Sequence, residues 1–456
     1  MSEATRKYSQ SSFDRSATPA DEAGERLITT VLRPLTHTGN TYRIVVLVLF
    51  AIVCWGAYAY SVQLRKGLVV TDMRDHIVWG LYIANFVFFI GISHAGTLIS
   101  AILRVTHAEW RTPITRMAEF ITVVALSVGA LFPLIDLARP DRVANIIIYG
   151  RWQSPIVWDI LAISTYLTGS LIYLYLPMIP DLAMVRDRLS TSMSPLKIRF
   201  YRLLSIGWRG TSAQERYSSK GIGIMAVLII PIAISVHTVV SFIFAMNLRT
   251  GWDSTVFGIY FVGGAIFSGL ATLILVMAVL RRAFHLGEYL TDKQFLYLGY
   301  MLGTFAGIMI YFNALELLVP GFKMEGSELF LFRQRFIGEY APLYWTYLVA
   351  GLMIPGLIIL IPRTRTFWGI IVAAILVNIG MWLERFLIVV PTLRVPLMAH
   401  EPASYSPTWV EWSIMAGAFA AFCLLIAVFA KIFPVLSIWE IKEQLVSEQS
   451  NIVEEV

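Results

Sequence analysis

Ten apolar stretches, most of about 20 residues or more, recur along the chain between short polar segments. They fall near residues 43–63, 77–103, 117–138, 155–179, 221–247, 256–280, 295–319, 341–361, 367–390 and 409–433. About 20 apolar residues in a helix cross the hydrocarbon core of a bilayer. None of the stretches alternates in polarity over about ten residues, as a membrane β-strand does. The pattern predicts an all-α integral membrane protein with ten transmembrane helices. The stretch 77–103 is long for one crossing and is expected to tilt or project. The first 40 residues are polar and read as a solvated tail rather than a signal peptide. Beyond Pro434, Trp439, Ile441 and Leu445 stand among Glu and Lys, which suits a short amphipathic helix on the membrane surface.

The helices repeat. The third ends Asp136-Leu137-Ala138-Arg139-Pro140 and the seventh Glu316-Leu317-Leu318-Val319-Pro320, each with a carboxylate four residues before a proline. The next helices open on Pro155 and Pro342, each followed three residues later by a tryptophan, Trp158 and Trp345. The second and sixth end Leu103-Arg104 and Leu280-Arg281. The expected organisation is two four-helix bundles, helices 2–5 and 6–9, flanked by helices 1 and 10. Four helices per copy keep both copies in one orientation. The boundaries are a cytoplasmic N-terminal tail (1–42), a first flanking helix with its outer loop (43–76), a first bundle (77–247), a second bundle (256–390), and an outer loop, last helix and cytoplasmic tail (391–456). The copies are unequal, since Thr346 stands where the first has Asp159. The first bundle is therefore the candidate to have kept a site.

Composition agrees with burial in lipid. Of 456 residues, 57% are hydrophobic and 14% charged, against about 45–50% and 25% in soluble domains. A soluble enzyme, a nucleic-acid-binding domain and a disordered scaffold are excluded. The net charge of +6 reads as cytoplasmic loops rather than a nucleic-acid partner. With both termini inside, 24 of the 36 Lys and Arg residues fall on inner segments, the largest block running from Arg186 to Lys220. Cys54 and Cys423 lie in apolar runs; no cysteine cluster or CxxCH provides for an iron–sulfur cluster or a covalent haem.

Ionisable groups within apolar helices are expensive, so each needs a reason. They are His94, Glu119, Asp136, Asp159, His237, Glu316, Glu384 and Arg385. In the inferred orientation Asp136, Arg139, Asp159, His237 and Asp253 gather toward the outer end of the first bundle, with His94 nearer its centre. Each has a plain alternative. Asp136 with Arg139 can be a helix-end ion pair, Asp159 a first-turn carboxylate, His94 and His237 interhelical hydrogen bonders, Glu384 with Arg385 a self-neutralising pair, and Glu119 a snorkelling carboxylate. Together they suit hydroquinone oxidation. A hydroquinone arrives from lipid and needs an apolar cleft, partners for two ring oxygens, and bases for two protons. Asp136, Asp159 and His237 are the expected proton acceptors, with Trp79, Tyr82, Trp152 and Trp158 at the rim. One haem between helices 2 and 5, a secondary transporter and a structural anchor are the rivals. No compact ligand spacing indicates a metal site.

The segment Asp136 to Arg142 resembles the D-L-x-R-P motif of the NrfD-type family, the membrane subunits of polysulfide reductase and related quinone oxidoreductases. Residues 91–101, 154–166, 235–242, 260–269, 378–386 and 407–409 together resemble the larger NrfD-like subunit of bacterial alternative complex III, the ActC type. That resemblance implies menaquinol or ubiquinol oxidation near the periplasmic face of the bacterial inner membrane. It also implies a periplasmic iron–sulfur subunit, multihaem and monohaem cytochrome c subunits, a second NrfD-like subunit and small membrane subunits as partners. Redox centres would belong to those partners. His94, Asp136, Arg139, Asp159, His237 and Asp253 are expected at the quinol site, and Glu119, Glu316, Glu384 and Arg385 on proton paths. Two positions depart from the family pattern: Ile243 stands where an acidic residue is common, and Asp253 where histidine is.

Overall fold

The computed structural model describes residues 19–191, 193–396, 398, 402 and 404–445. Among the described residues every regular element is helical. Ten helices are long and apolar enough to cross a membrane. They are Asn40–Lys66 (span 1), Leu81–Val105 (span 2), Thr112–Asp136 (span 3), Pro155–Arg188 (span 4), Ser212–Ala245 (span 5), Phe257–Ala283 (span 6), Asp292–Lys323 (span 7), Ala341–Leu360 (span 8), Phe367–Leu393 (span 9) and Trp409–Ile432 (span 10). The chain is a multi-pass integral membrane protein. Below, the terminal end is where span 1 starts and span 10 finishes, and the far end is opposite.

Local chemistry sets the helix limits. Pro155 and Pro342 occupy first-turn positions, where a missing N–H leaves nothing unsatisfied. Thr211 with Gln214, and Thr408 with Glu411, form capping boxes. The long stretch from residue 77 becomes helical only at Leu81, whose N–H donates to the Tyr405 hydroxyl at 2.8 Å. Span 3 breaks after Gly129, where the Pro133 ring would clash with the carbonyl four residues back. Span 8 carries a π-helical segment, Thr346–Met353, with no counterpart in span 4, which is α-helical from Pro155 to Tyr175.

Spans 2, 3, 4 and 5 pack together, as do spans 6, 7, 8 and 9; spans 2 and 5 meet span 6, and span 2 also meets span 9. Span 2 is central: 94% of its apolar window is buried, against 11% for span 1. Spans 1 and 10 pair at the flank through a glycine contact. A Cβ on Gly56 would stand 2.9 Å from the Gly417 Cα, so the two backbones touch.

Two polar segments differ from their expected surroundings. Pro19–Thr36 is an amphipathic helix rather than a solvated tail, with Leu27, Ile28, Val31, Leu32 and Leu35 buried. Their three- and four-residue spacing gives an otherwise polar segment one apolar face. Lys431 ties it to span 10 by donating to the carbonyls of Pro34 and His37. Residues 438–445 are helical, but they dock on protein at the terminal end instead of resting on the membrane surface. Ile438 and Ile441 are buried there. Asp181 accepts from the N–H groups of Ile438 and Trp439, and Glu440 pairs with Arg104 and Arg111. Burial acts to raise the Glu440 carboxyl, but the two guanidiniums outweigh it and hold it below the usual glutamate range. Residues 1–18 of the expected tail and 446–456 lie outside the described residues.

Candidate functional site

His94 of span 2 and His237 of span 5 meet in the interior. Their ring centroids are 4.1 Å apart and both residues are fully buried. Among the described residues, none of the four ring nitrogens makes a hydrogen bond of full geometry, although the backbone of Ala233 lies near both rings and that of Ile90 near His237. Buried polar atoms nearly always find good partners, so two adjacent imidazoles with at most loose backbone contacts need an explanation.

The second bundle reaches this pair. His237 lies 6.4 Å from the Phe261 ring of span 6, centroid to centroid. Arg385 of span 9 sits over the same ring at 4.5 Å and donates to the Phe261 carbonyl at 3.3 Å. Its Nη1 is 3.2 Å from Glu384 Oε2, and both residues are at most 2% exposed. Gly264 makes the room: a Cβ there would stand 2.6 Å from Arg385 Nη2. Nearby, the hydroxyls of Tyr260 and Tyr347 are 3.1 Å apart. Asn313 bonds the Tyr347 hydroxyl at 3.3 Å and accepts from Tyr344 at 3.1 Å. Glu316 lies one turn beyond Asn313, half-buried, accepting from Ser254 Oγ at 2.5 Å.

Toward the terminal end, Glu119 is buried and faces the bundle rather than snorkelling. It accepts from Ser100 Oγ at 2.7 Å. Ser100 and Arg104 each approach the Tyr173 hydroxyl at 3.3 Å. Between this group and the histidines, Tyr166 and Thr122 both donate to the Ser93 carbonyl, at 2.9 and 2.8 Å.

The remaining expected residues have no hydrogen bond or ion pair to the histidines among the described residues. Asp159 is 8% exposed, and its buried Oδ1 has no partner among the described residues; the same holds for Oδ1 of Asp136 at the end of span 3. Arg139 does not pair with Asp136. The chain leaves the helix at Leu137 and turns through Pro140–Arg142, which carries Arg139 outward. Exposed there, it bonds Asp141 through two nitrogens at 3.1 and 2.9 Å. Those bonds hold the Asp141 carboxyl below its ordinary range. Asp253 is exposed in the loop before span 6. Of the rim aromatics, Trp79 stacks on Trp252 at 6.0 Å, Tyr82 is buried and donates to Gln63, and Trp152 is 72% exposed.

Sequence reasoning misses the buried Arg116–Asp181 ion pair. The apolar runs end at 117 and 179, one or two residues short of each partner. It also misses Tyr166, Tyr173, Tyr260, Tyr347 and Asn313, whose uncharged side chains do not interrupt an apolar run. The seven-residue spacing of Ser93 and Ser100, two turns on one face of span 2, is the available signal. Among the described residues, no three His, Cys, Asp or Glu side chains gather as a metal site.

Residues 69–396, which run from after span 1 to before span 10, match the family described as polysulphide reductase, NrfD. The chain belongs to the NrfD family. Three relatives each cover more than four fifths of this NrfD chain. A selenate reductase subunit of Mesobacillus selenatarsenatis is 25% identical, over 84% of this chain and 92% of its own length. The Hdr-like menaquinol oxidoreductase integral membrane subunit of Archaeoglobus fulgidus is 25% identical, over 87% and 94%. The menaquinone reductase integral membrane subunit of Nitratidesulfovibrio vulgaris is 24% identical, over 83% and 89%. The matched family region holds both bundles and every residue of the histidine and arginine cluster. The paired flanking spans lie outside it.

Proposed function

We propose that this NrfD chain is the quinol-binding membrane subunit of an alternative complex III, oxidising menaquinol or ubiquinol near the periplasmic face. The observation that carries the reading is the fully buried His94–His237 pair, ring centroids 4.1 Å apart, whose nitrogens bond no other side chain among the described residues. Oxidation of one quinol to quinone releases two protons and two electrons. The imidazoles supply bonding partners for ring hydroxyls, and His237, Asp159 and Asp136 supply acceptors for the protons. The electrons would leave through a periplasmic iron–sulfur subunit toward multihaem and monohaem cytochrome c subunits. A second NrfD-like subunit and small membrane subunits would complete the assembly. Two relatives whose names carry menaquinol or menaquinone support a quinone substrate. Arg139 pairs with Asp141 and Asp253 is exposed in its loop, so neither is given a step in this oxidation.

The test is quinol:cytochrome c turnover of the purified complex. In D159N and H237A it is expected to fall by at least tenfold with haem content unchanged. Turnover at the native rate in both variants removes the assignment.

Proton translocation coupled to this oxidation is part of the same proposal. Glu119 with Ser100 and Tyr173 reaches toward the terminal end, taken as cytoplasmic. Glu384, Arg385 and the Tyr260–Tyr347–Asn313 group lead from the histidines toward Glu316. In sealed vesicles E119Q and E384Q are expected to lower the proton-to-electron ratio while quinol oxidation continues; an unchanged ratio in both removes this part.

A further inference from the structure

The largest basic block in the sequence plays no part in the chemistry above, and it builds a site of its own. The segment joining spans 4 and 5 lies at the terminal end and contains a ten-residue helix, Pro195–Leu204. Between this helix, the end of span 4 and the turn at 207–209 is a cavity of about 490 Å³ that opens broadly to the surface. Arg186, Asp187, Ile198, Arg202, Trp208 and Arg209 line it. Its one acidic lining group among the described residues is already engaged: Arg186 holds Asp187 through two nitrogens at 2.7 and 2.8 Å. Arg186 is itself held, donating to Ser205 Oγ at 3.1 Å and the Trp208 carbonyl at 3.2 Å. The guanidiniums of Arg202 and Arg209 have no hydrogen-bond or ion-pair partner among the described residues. The cavity thus presents two exposed, unpaired cations beside a third that is already neutralised by Asp187.

A second observation says where this cavity sits. The Tyr201 hydroxyl donates to the carbonyl of Ile432, the last residue of span 10, at 2.7 Å, and Phe200 faces Phe433 at 6.3 Å. These contacts place helix 195–204 at the level where span 10 ends, which we take as the boundary between acyl chains and headgroups because the apolar run of span 10 stops there. At about 100° per residue, Leu196, Phe200 and Leu203 fall on one face. Leu196 is 80% and Leu203 76% exposed. Arg199 stands on the helix between that apolar face and the face of Ile198 and Arg202 that lines the cavity. An apolar face at the acyl level beside a cationic cavity matches a molecule with a phosphate and hydrocarbon tails.

We propose that this cavity binds the phosphate headgroup of an anionic phospholipid, with its acyl chains along the Leu196–Phe200–Leu203 face. Arg202 and Arg209 would bond the phosphate oxygens, Arg186 would fix the position of Trp208, and the exposed leucines would contact the first carbons of the tails.

The test uses the intact complex in neutral detergent, equilibrated with dioleoylphosphatidylglycerol, dioleoylphosphatidylcholine or inorganic phosphate and read by native mass spectrometry. The expected result is one phosphatidylglycerol per chain that R202Q/R209Q loses, its affinity at least tenfold weaker. R202K/R209K, and R363Q in another loop at the same end, are expected to keep it. Phosphatidylcholine and phosphate at the same concentration are expected to leave no bound species at this site. Three results overturn the proposal: equal phosphatidylglycerol retention by wild type and R202Q/R209Q, no such lipid on the wild type, or inorganic phosphate binding as tightly as the lipid, which would make this a free-anion site. Native melting temperatures of the glutamine and lysine variants separate lost binding from lost folding.

Discussion

Arg116 and Asp181 form an ion pair with almost no access to solvent, supported by the carbonyls of Pro177 and Leu436 and by the Ser437 hydroxyl. Removing one partner of such a pair strands the other charge, which typically costs about 3–5 kcal/mol. D181N keeps the shape and loses the charge. It is expected to lower the thermal inactivation temperature of the complex markedly, with quinol affinity in the surviving fraction unchanged. Arg139 is the opposite case. Its exposed pair with Asp141 is screened by water, so R139Q is expected to leave both the melting temperature and the KM for quinol unchanged. A large rise in KM would place Arg139 at the site after all. At this scale, the sequence reveals the groups whose charge interrupts an apolar run, such as His94, His237 and Glu384. It does not reveal which way each points, because that depends on where neighbouring helices cross. Arg139 pairs with Asp141 rather than Asp136 because three residues of non-helical backbone redirect it.

At the scale of elements, the ten helices are legible because lipid demands long apolar runs with internally satisfied backbones. The amphipathic segment 19–36 is not, since its five apolar contacts are diluted in polar sequence. The docked helix 438–445 is legible as amphipathic but not in its partner: hydropathy shows an apolar face without saying whether lipid or protein covers it. Its docking depends on pH with a definite sign. The folded state holds the Glu440 carboxyl below its unfolded value. Its contribution is therefore complete above the ordinary glutamate range and lost as pH falls through the lower folded value. Hydrogen-exchange protection of residues 438–445, measured against the intrinsic rate at each pH, is expected to be high near pH 7 and to fall in acid, and E440Q to show low protection at both. Equal protection in E440Q and wild type would mean that Ile438 and Ile441 alone hold the segment. In the span 1–span 10 pair, G56L forces apart two touching backbones. Such overpacking typically costs about 1–3 kcal/mol. The expected result is faster proteolysis of the flanking spans with quinol turnover retained.

For the whole molecule, the positive-inside pattern gives an orientation that labelling can check. A membrane-impermeant maleimide on intact cells is expected to modify Y149C, in the exposed loop before span 4, and not K197C; the reverse would invert the assignment of the termini. The repeat is visible in the matched carboxylate–proline and proline–tryptophan spacings. Its inequality has a physical form: span 8 departs into a π-helix at Thr346, the position matched to Asp159. The meeting of the two bundles at the histidine pair is not legible. It depends on Phe261 and Arg385, which are far apart in sequence and joined only when span 6 packs against spans 5 and 9.

The ion pairs at the terminal end also impose an order on biosynthesis. A ribosome delivers Arg104 and Arg116 to the membrane early; Asp181 follows Arg116 by 65 residues, but Glu440 follows Arg104 by 336. For most of translation one cation has its counter-ion and the other waits. A nascent chain stalled before residue 440 would leave Arg104 with only the Tyr173 hydroxyl and the Glu119 carboxyl in place of its direct ion pair, so the base of the first bundle closes only when the last residues of the chain arrive.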